Sequence, residues 1–235
     1  MALTYPVEKY QKHFIVDKRI PNQTIETIFN LLYHPERSQF IRNIYKIRND
    51  YDITQTIKKI RIPNGSEEYP LSTEYSYAFV HPAQKKMLLG PSKLNVNEDY
   101  NVIVTSPTQL YVEVTTKLSG FMLMDTFISR TLYIFEQISP NEVNLNVKYD
   151  IEFIKPNPFK GMVEKNGYEE NEEEIKRTYI CEIEKALSPP HKITNNSNMN
   201  TSLNSTYYIE SENDMSSSNE NDTVEVDYCF YYYTF

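Results

Sequence analysis

Val143-Asn144-Leu145-Asn146-Val147-Lys148-Tyr149-Asp150-Ile151-Glu152-Phe153 alternates apolar and polar residues without a break. Side chains along an extended strand point to opposite faces in turn, so Val143, Leu145, Val147, Tyr149, Ile151 and Phe153 share one face. Asn144, Asn146, Lys148, Asp150 and Glu152 share the other. A strand divided in this way belongs to a sheet that is wet on one side and covered on the other. Upstream the same period recurs. Phe127, Ser129, Thr131, Tyr133 and Phe135 fall on one side of a strand, and Leu110, Val112, Val114 and Thr116 face away from Tyr111, Glu113, Thr115 and Lys117. Lys93 to Thr105 is a looser strand, and Thr73 to Val80 sets Tyr75, Tyr77 and Phe79 against Glu74 and Ser76. Residues 51 to 62 form another, closed by Pro63-Asn64-Gly65.

The cover lies downstream. After Pro156-Asn157-Pro158 the period becomes helical, with Phe159, Met162 and Val163, then Ile175, Tyr179, Ile183 and Leu187 at four-residue spacing. The helix stops before Pro189-Pro190, and the acidic run Glu169 to Glu174 reads as its solvated face. At the other end Lys9 to Ile20 is an opening strand. Pro21-Asn22 then starts a helix carrying Ile25, Ile28, Phe29 and Leu32, with Asn22 as its N-cap, and His34-Pro35 starts a second with Phe40, Ile41 and Ile44. The predicted fold is α+β: a curved antiparallel sheet of about six to seven strands gripping a long C-terminal helix, with two short helices after strand one.

A curved sheet around one helix leaves volume that one helix face does not fill, so an internal pocket is expected. Its predicted lining is Tyr75, Tyr77, Phe79, Val112, Val114, Phe127, Ser129, Thr131, Val147, Tyr149 and Ile151 from the strands and Tyr179 from the helix. An apolar pocket with a few hydroxyls, here on Tyr75, Tyr77, Ser129, Thr131 and Tyr149, suits a lipid with one polar head, because a buried hydroxyl needs a partner. The plainer alternative is a filled core of amphipathic tyrosines, which would suit a non-catalytic protein-interaction or adaptor module.

Composition narrows the classes. Lys and Arg total 24 against 32 Asp and Glu, a formal net charge of -8, so a broad basic face for nucleic acid is not expected, while a local basic patch for an anionic membrane is compatible. Cys181 and Cys229 are the only cysteines, too few for a disulfide framework or a thiolate metal site, and they fit a reducing compartment. His13, His34, His81 and His191 fall on a strand, a helix cap, a loop and the tail, where surface or capping roles are expected. There is no Gly-rich phosphate loop and no G-x-S-x-G, and nothing in the spacing orients Asp125 and Glu113 as an acid and base. Neither catalysis nor a cofactor is therefore expected. The N-terminus lacks a secretory pattern and no stretch approaches the ~20 apolar residues of a membrane span, so the reading is cytoplasmic or peripheral to a membrane.

Residues 1 to 190 are read as the folded module and 191 to 235 as a tail. From His191 to about Asp227 the chain is Asn, Ser, Thr, Glu and Asp with scattered apolar residues, a composition expected to stay disordered. The N-x-S/T sequons at Asn195, Asn200, Asn204 and Asn221 follow from that bias. Tyr228 to Phe235 turns aromatic and reads as a docking peptide for a protein partner, an added strand, or an incidental end.

Thr115 to Tyr133, TTKLSGFMLMDTFISRTLY, and Val143 to Ile175 resemble the C-terminal half of a VASt domain, the StART-like module of the Lam and Aster (GRAM-domain) sterol transporters. Asp125-Thr126-Phe127 stands for the family's G-D-x-F element, with Met124 in place of the Gly. Phe153-Ile154-Lys155 is similar to the end of its last strand, and Met162-Val163-Glu164-Lys165-Asn166 to the opening of its helix. Glu74-Tyr75-Ser76-Tyr77 and Leu89-Gly90-Pro91-Ser92-Lys93 resemble its strand and Gly-Pro-Lys loop. The resemblance covers about residues 10 to 187. It implies a helix-grip (StART-like) fold that carries a sterol between membranes, as at a membrane contact site, without chemistry. It also implies a gating loop touching an anionic membrane, for which Lys86, Met87, Leu88, Leu89, Gly90, Pro91 and Lys93 are the candidates.

Overall fold

Strands form wherever the period of two holds. The computed structural model describes residues 7–10, 12–61, 69–82 and 92–188. Its strands are β1 (Lys12–Pro21), β2 (Tyr51–Arg61), β3 (Leu71–Pro82), β4 (Lys93–Ser106), β5 (Gln109–Ser119), β6 (Phe127–Ser139) and β7 (Glu142–Phe153). They build one antiparallel sheet in the order β1-β7-β6-β5-β4-β3-β2. Chain neighbours from β2 to β7 are joined as successive hairpins, and only β1 crosses, to pair with β7. One face is the core, where Val112, Leu110, Phe135, Val143, Leu145 and Val147 are fully buried.

Helix α1 (Ile25–Ile28) runs on into a wider π turn (Phe29–Tyr33), and α2 is Phe40–Ile47. The C-terminal helix is α3 (Lys160–Glu174), a π turn (Ile175–Tyr179) and α4 (Ile180–Leu187). Expectation and structure differ at the boundaries, for local reasons. The opening strand begins at Lys12 and not Lys9, because Val7–Lys9 forms a 3-10 turn. That turn lets Tyr10 and Val7 pack on the outer face of the sheet against Tyr111, Leu132 and Ile134. Thr24, not Asn22, caps α1: its hydroxyl accepts from the Thr27 N–H at 3.2 Å. Asn22 sits in the left-handed region with φ 60 and turns the chain out of β1. His34-Pro35 ends a helix and does not start one. The residue before a proline is pushed to extended backbone, as His34 is with ψ 119, and the Ser38 hydroxyl closes the turn on the Leu31 and Leu32 carbonyls at 2.7 and 2.8 Å.

The predicted apolar face of the last helix holds only in its second half. Ile175, Tyr179, Ile183 and Leu187 are buried, but no residue of α3 is, and Phe159 and Met162 face water. Lys86 to Pro91 and the tail from residue 191, with its aromatic end, lie outside the described residues.

Candidate functional site

Ladder register sets the inward side chains in rows across five strands. Leu71, Val104, Leu110, Phe135 and Leu145 form an aliphatic and aromatic row, followed by Thr73, Val102, Val112, Tyr133 and Val147. Next comes Tyr75, Tyr100, Val114, Thr131 and Tyr149, then Tyr77, Glu98, Thr116, Ser129 and Ile151. Hydroxyl groups are thus gathered in a belt toward the end where β3 leads into β4 and β5 into β6.

All twelve strand and helix residues expected to line a pocket lie on this concave side, but they divide into two groups. Over β3 and β4 the space is taken up by rings. Tyr75 stacks on Tyr100 with centroids 5.0 Å apart, Tyr77 meets both edge-on at 5.9 Å, and Tyr45 from α2 closes on Tyr77 at 5.2 Å and Phe79 at 4.5 Å. Tyr179 stacks on Tyr133 at 4.9 Å. Val112 and Val147 flank Tyr133 in its row and are fully buried. Over β5 to β7 the packing is looser. Thr116, Ser129 and Thr131 point inward and yet stay half-buried, as do Leu118 and Phe153, beside buried Val114, Phe127, Tyr149 and Ile151.

The element opposite this half is α3. At Gly167 the helix approaches the sheet so closely that an added Cβ would lie 2.8 Å from Ile151 Cδ1. A groove of about 330 Å³ between β1 and α3, lined by Lys12, His13, Phe14, Lys165, Tyr168, Glu169 and Glu172, flanks it. Its inner wall is shared with the belt, since Phe14 stacks on Tyr149 at 4.8 Å and Tyr168 meets the same ring edge-on at 5.6 Å. Of the loop candidates, Lys93 is exposed at the start of β4.

A buried ionic network that the sequence reading missed closes the belt at its β3 side. Arg48, just after α2, lies 2.6 Å from Asp50 Oδ2, 3.0 Å from Glu174 Oε1 and 3.6 Å from Glu98 Oε1. Glu98 accepts from the Tyr45 and Tyr100 hydroxyls at 2.7 and 2.8 Å. His81 Nδ1 lies 2.6 Å from Asp50 Oδ1, so His81 is a buried strand residue and not the loop residue its sequence context implied. Glu174 likewise leaves the predicted solvated acidic face. Desolvation would drive the Arg48 proton off, but Glu174, Glu98 and Asp50 hold the guanidinium charged. The Tyr33 hydroxyl and Thr178 Oγ1 are also buried, and neither has a hydrogen-bond partner among the described residues. Asp125 and Glu113 do not meet: Asp125 pairs with Lys155, and Glu113 accepts from Tyr10 and Lys9. Among the described residues no group of His, Cys, Asp and Glu is arranged to hold a metal ion.

Burial raises the Glu174 carboxyl pKa despite Arg48, with Glu98 adding to the rise. A carboxyl raised in the fold binds more protons folded than unfolded, so its contribution to stability grows as pH falls through its folded pKa and is lost as pH rises. Wild type is therefore expected to gain stability relative to Glu174→Gln on going from about pH 7 to about pH 5. Urea midpoints of the two proteins at both pH values check this; a constant difference would mean that the carboxylate is not desolvated.

The family model of the VAD1 Analog of StAR-related lipid transfer domain (VASt) matches residues 15–170. No curated protein matches the chain. The matched segment runs from β1 into α3, so it contains every concave row and leaves Glu174 and Tyr179 beyond its end.

Proposed function

Because the chain belongs to the VASt family of StAR-related lipid-binding domains, we propose that it carries a lipid between membranes in the space between β5–β7 and α3, without chemistry. The observation that supports this most is that Thr116 and Thr131 point inward yet stay half-buried, beside Ser129 hydrogen-bonded to Tyr149, opposite a helix none of whose apolar side chains is buried. A core closed to ligand would hide such hydroxyls or pair them, whereas an apolar molecule with one polar group would lie against the aliphatic positions and satisfy a hydroxyl. Val114, Phe127, Tyr149 and Ile151 complete the proposed lining, and the groove past Phe14 and Tyr168 is a lateral way in. A sterol is the ligand that the family resemblance implies. In this reading residues 1–190 are the carrier and 191–235 an appended tail, and Lys86 to Lys93 touches the anionic membrane that donates or receives the lipid. No described helix is long and apolar enough to cross a membrane, so such contact would be peripheral.

The ring packing of Tyr75, Tyr77 and Tyr100 favours a second reading, an interaction module whose grip is filled. Transfer of a fluorescent sterol between liposomes separates the two. The purified chain is expected to accelerate transfer, and Ser129→Phe, which fills the half-open space, is expected to cut the rate about tenfold or more with the fold intact. Leu89→Asp tests the loop. No transfer together with no co-purifying lipid by mass spectrometry would leave the interaction module as the better account.

A further inference from the structure

The β5–β6 connection and the start of the C-terminal helix leave five large apolar side chains in water. Met122 is 76% exposed, and Phe121, Ile154, Phe159 and Met162 are exposed with it. Hydrogen bonds join the two segments into one surface. The N–H groups of Ile154 and Lys155 both donate to the Thr126 carbonyl, at 2.8 and 3.1 Å, and Asn157 Nδ2 donates to Thr126 Oγ1 at 2.8 Å. Lys155 also pairs with Asp125. The turn that presents Phe121 and Met122 lies between Gly120 at φ 95 and Leu123 at φ 71. A leucine is held in the left-handed region only where its surroundings over-determine it, and here the Thr126 hydroxyl donates to the Leu123 carbonyl at 2.6 Å. The apolar tip is therefore preformed.

We propose that this tip is a membrane-inserting surface that seats the open end of the grip on an anionic lipid bilayer. Large apolar side chains exposed together mark interaction sites. Partner proteins take anchors from convex surfaces into concave, desolvated pockets, whereas a fluid lipid interface closes round a convex tip of any outline. The border fits the same occupant. Lys155 and Lys160 flank the tip, and its carboxylates Asp125 and Glu164 are each paired with one of them. Within a chain of net charge -8, this end therefore does not repel anionic headgroups, and lysine stems can lie along the acyl boundary with their ammonium groups in the headgroup layer. The proposal takes its purpose from the lipid-carrier reading, but the tip exists independently of it.

Flotation of the full chain with phosphatidylcholine/phosphatidylserine vesicles tests the tip, using Met122→Asp/Phe159→Asp and, as control, Val16→Asp at a 63% exposed apolar residue of β1. The double variant is expected to lower vesicle partitioning about tenfold or more while Val16→Asp leaves it unchanged. Unfolding midpoints and uptake of a fluorescent sterol from a cyclodextrin complex should match wild type. Loss of vesicle binding in a chain that takes up no sterol would uphold the tip and sink the carrier reading. Unchanged partitioning in the double variant, or an equal loss in Val16→Asp, would overturn the tip. So would a wild-type dimer in sedimentation velocity that the double variant dissociates while vesicles bind neither protein.

Discussion

Arg48→Met is expected to destabilise the fold by about 3–5 kcal/mol, the range found when one partner of a buried ion pair is removed. The side chains of Arg48, Asp50, Glu98 and Glu174 are only 8%, 0%, 9% and 11% exposed, so water does little to screen the charges left behind. Asp50, Glu98 and Glu174 would then be left without the guanidinium that now pairs with all three. The methionine would keep most of the arginine stem's packing on Tyr45 and Phe79, over whose rings the guanidinium now sits 5.1 Å away. The loss would therefore report charge more than volume. Urea denaturation at neutral pH measures it, and Arg48→Met/Glu174→Gln should recover part of the loss by removing one orphaned carboxylate. A cost below about 1 kcal/mol would place the network in the class of solvent-screened surface pairs.

Tyr179→Ala is expected to cost a similar amount, about 3–5 kcal/mol, by a different route. The ring stacks on Tyr133 at 4.9 Å and meets Phe40 edge-on at 5.3 Å, so it ties the C-terminal helix to β6 and to α2 at once. Its truncation leaves a cavity bounded by aromatic rings on a stiff sheet, which has little freedom to collapse. The hydroxyl reaches Tyr100 and Tyr133, so Tyr179→Phe should cost only about 1 kcal/mol, the worth of an ordinary buried hydrogen bond. Equal losses for Ala and Phe would show that the polar relay, and not ring packing, anchors the helix.

What could be read ahead of the structure was what repeats along the chain. The alternation of β7 fixes its inward face residue by residue, and the same period placed Tyr75, Tyr77, Phe127, Ser129, Thr131 and Tyr149 on the concave side before any register was known. Features made by elements distant in sequence left no such trace. Arg48, His81, Glu98 and Glu174 come from a helix end, two strands and the last helix, and nothing in their spacing links them. Local competition misled the reading elsewhere. Asn22 and Thr24 both have cap chemistry, and only the backbone at Asn22, already turned left-handed, decides for Thr24. Phe159 and Met162 fit the helical period of the last helix and are nevertheless exposed, since the helix buries apolar side chains only from Ile175 onward.

The pairing of β1 with β7 bears on the order in which the chain can fold. Lys12 finds Tyr149, and Ile20 finds Val143, so the first strand of this sheet to be made has no sheet partner until the last has been made. The remaining strands pair as chain neighbours, each contact closing far less chain than the pairing of β1 with β7. Closing the sheet at β1 is the long-range step, whose entropy must be met late by contacts already in place. During synthesis the apolar side of β1, with Phe14 and Ile20, would stay open to chaperones until the last hairpin is complete, and that interval is when a nascent chain of this topology is most exposed to misassembly.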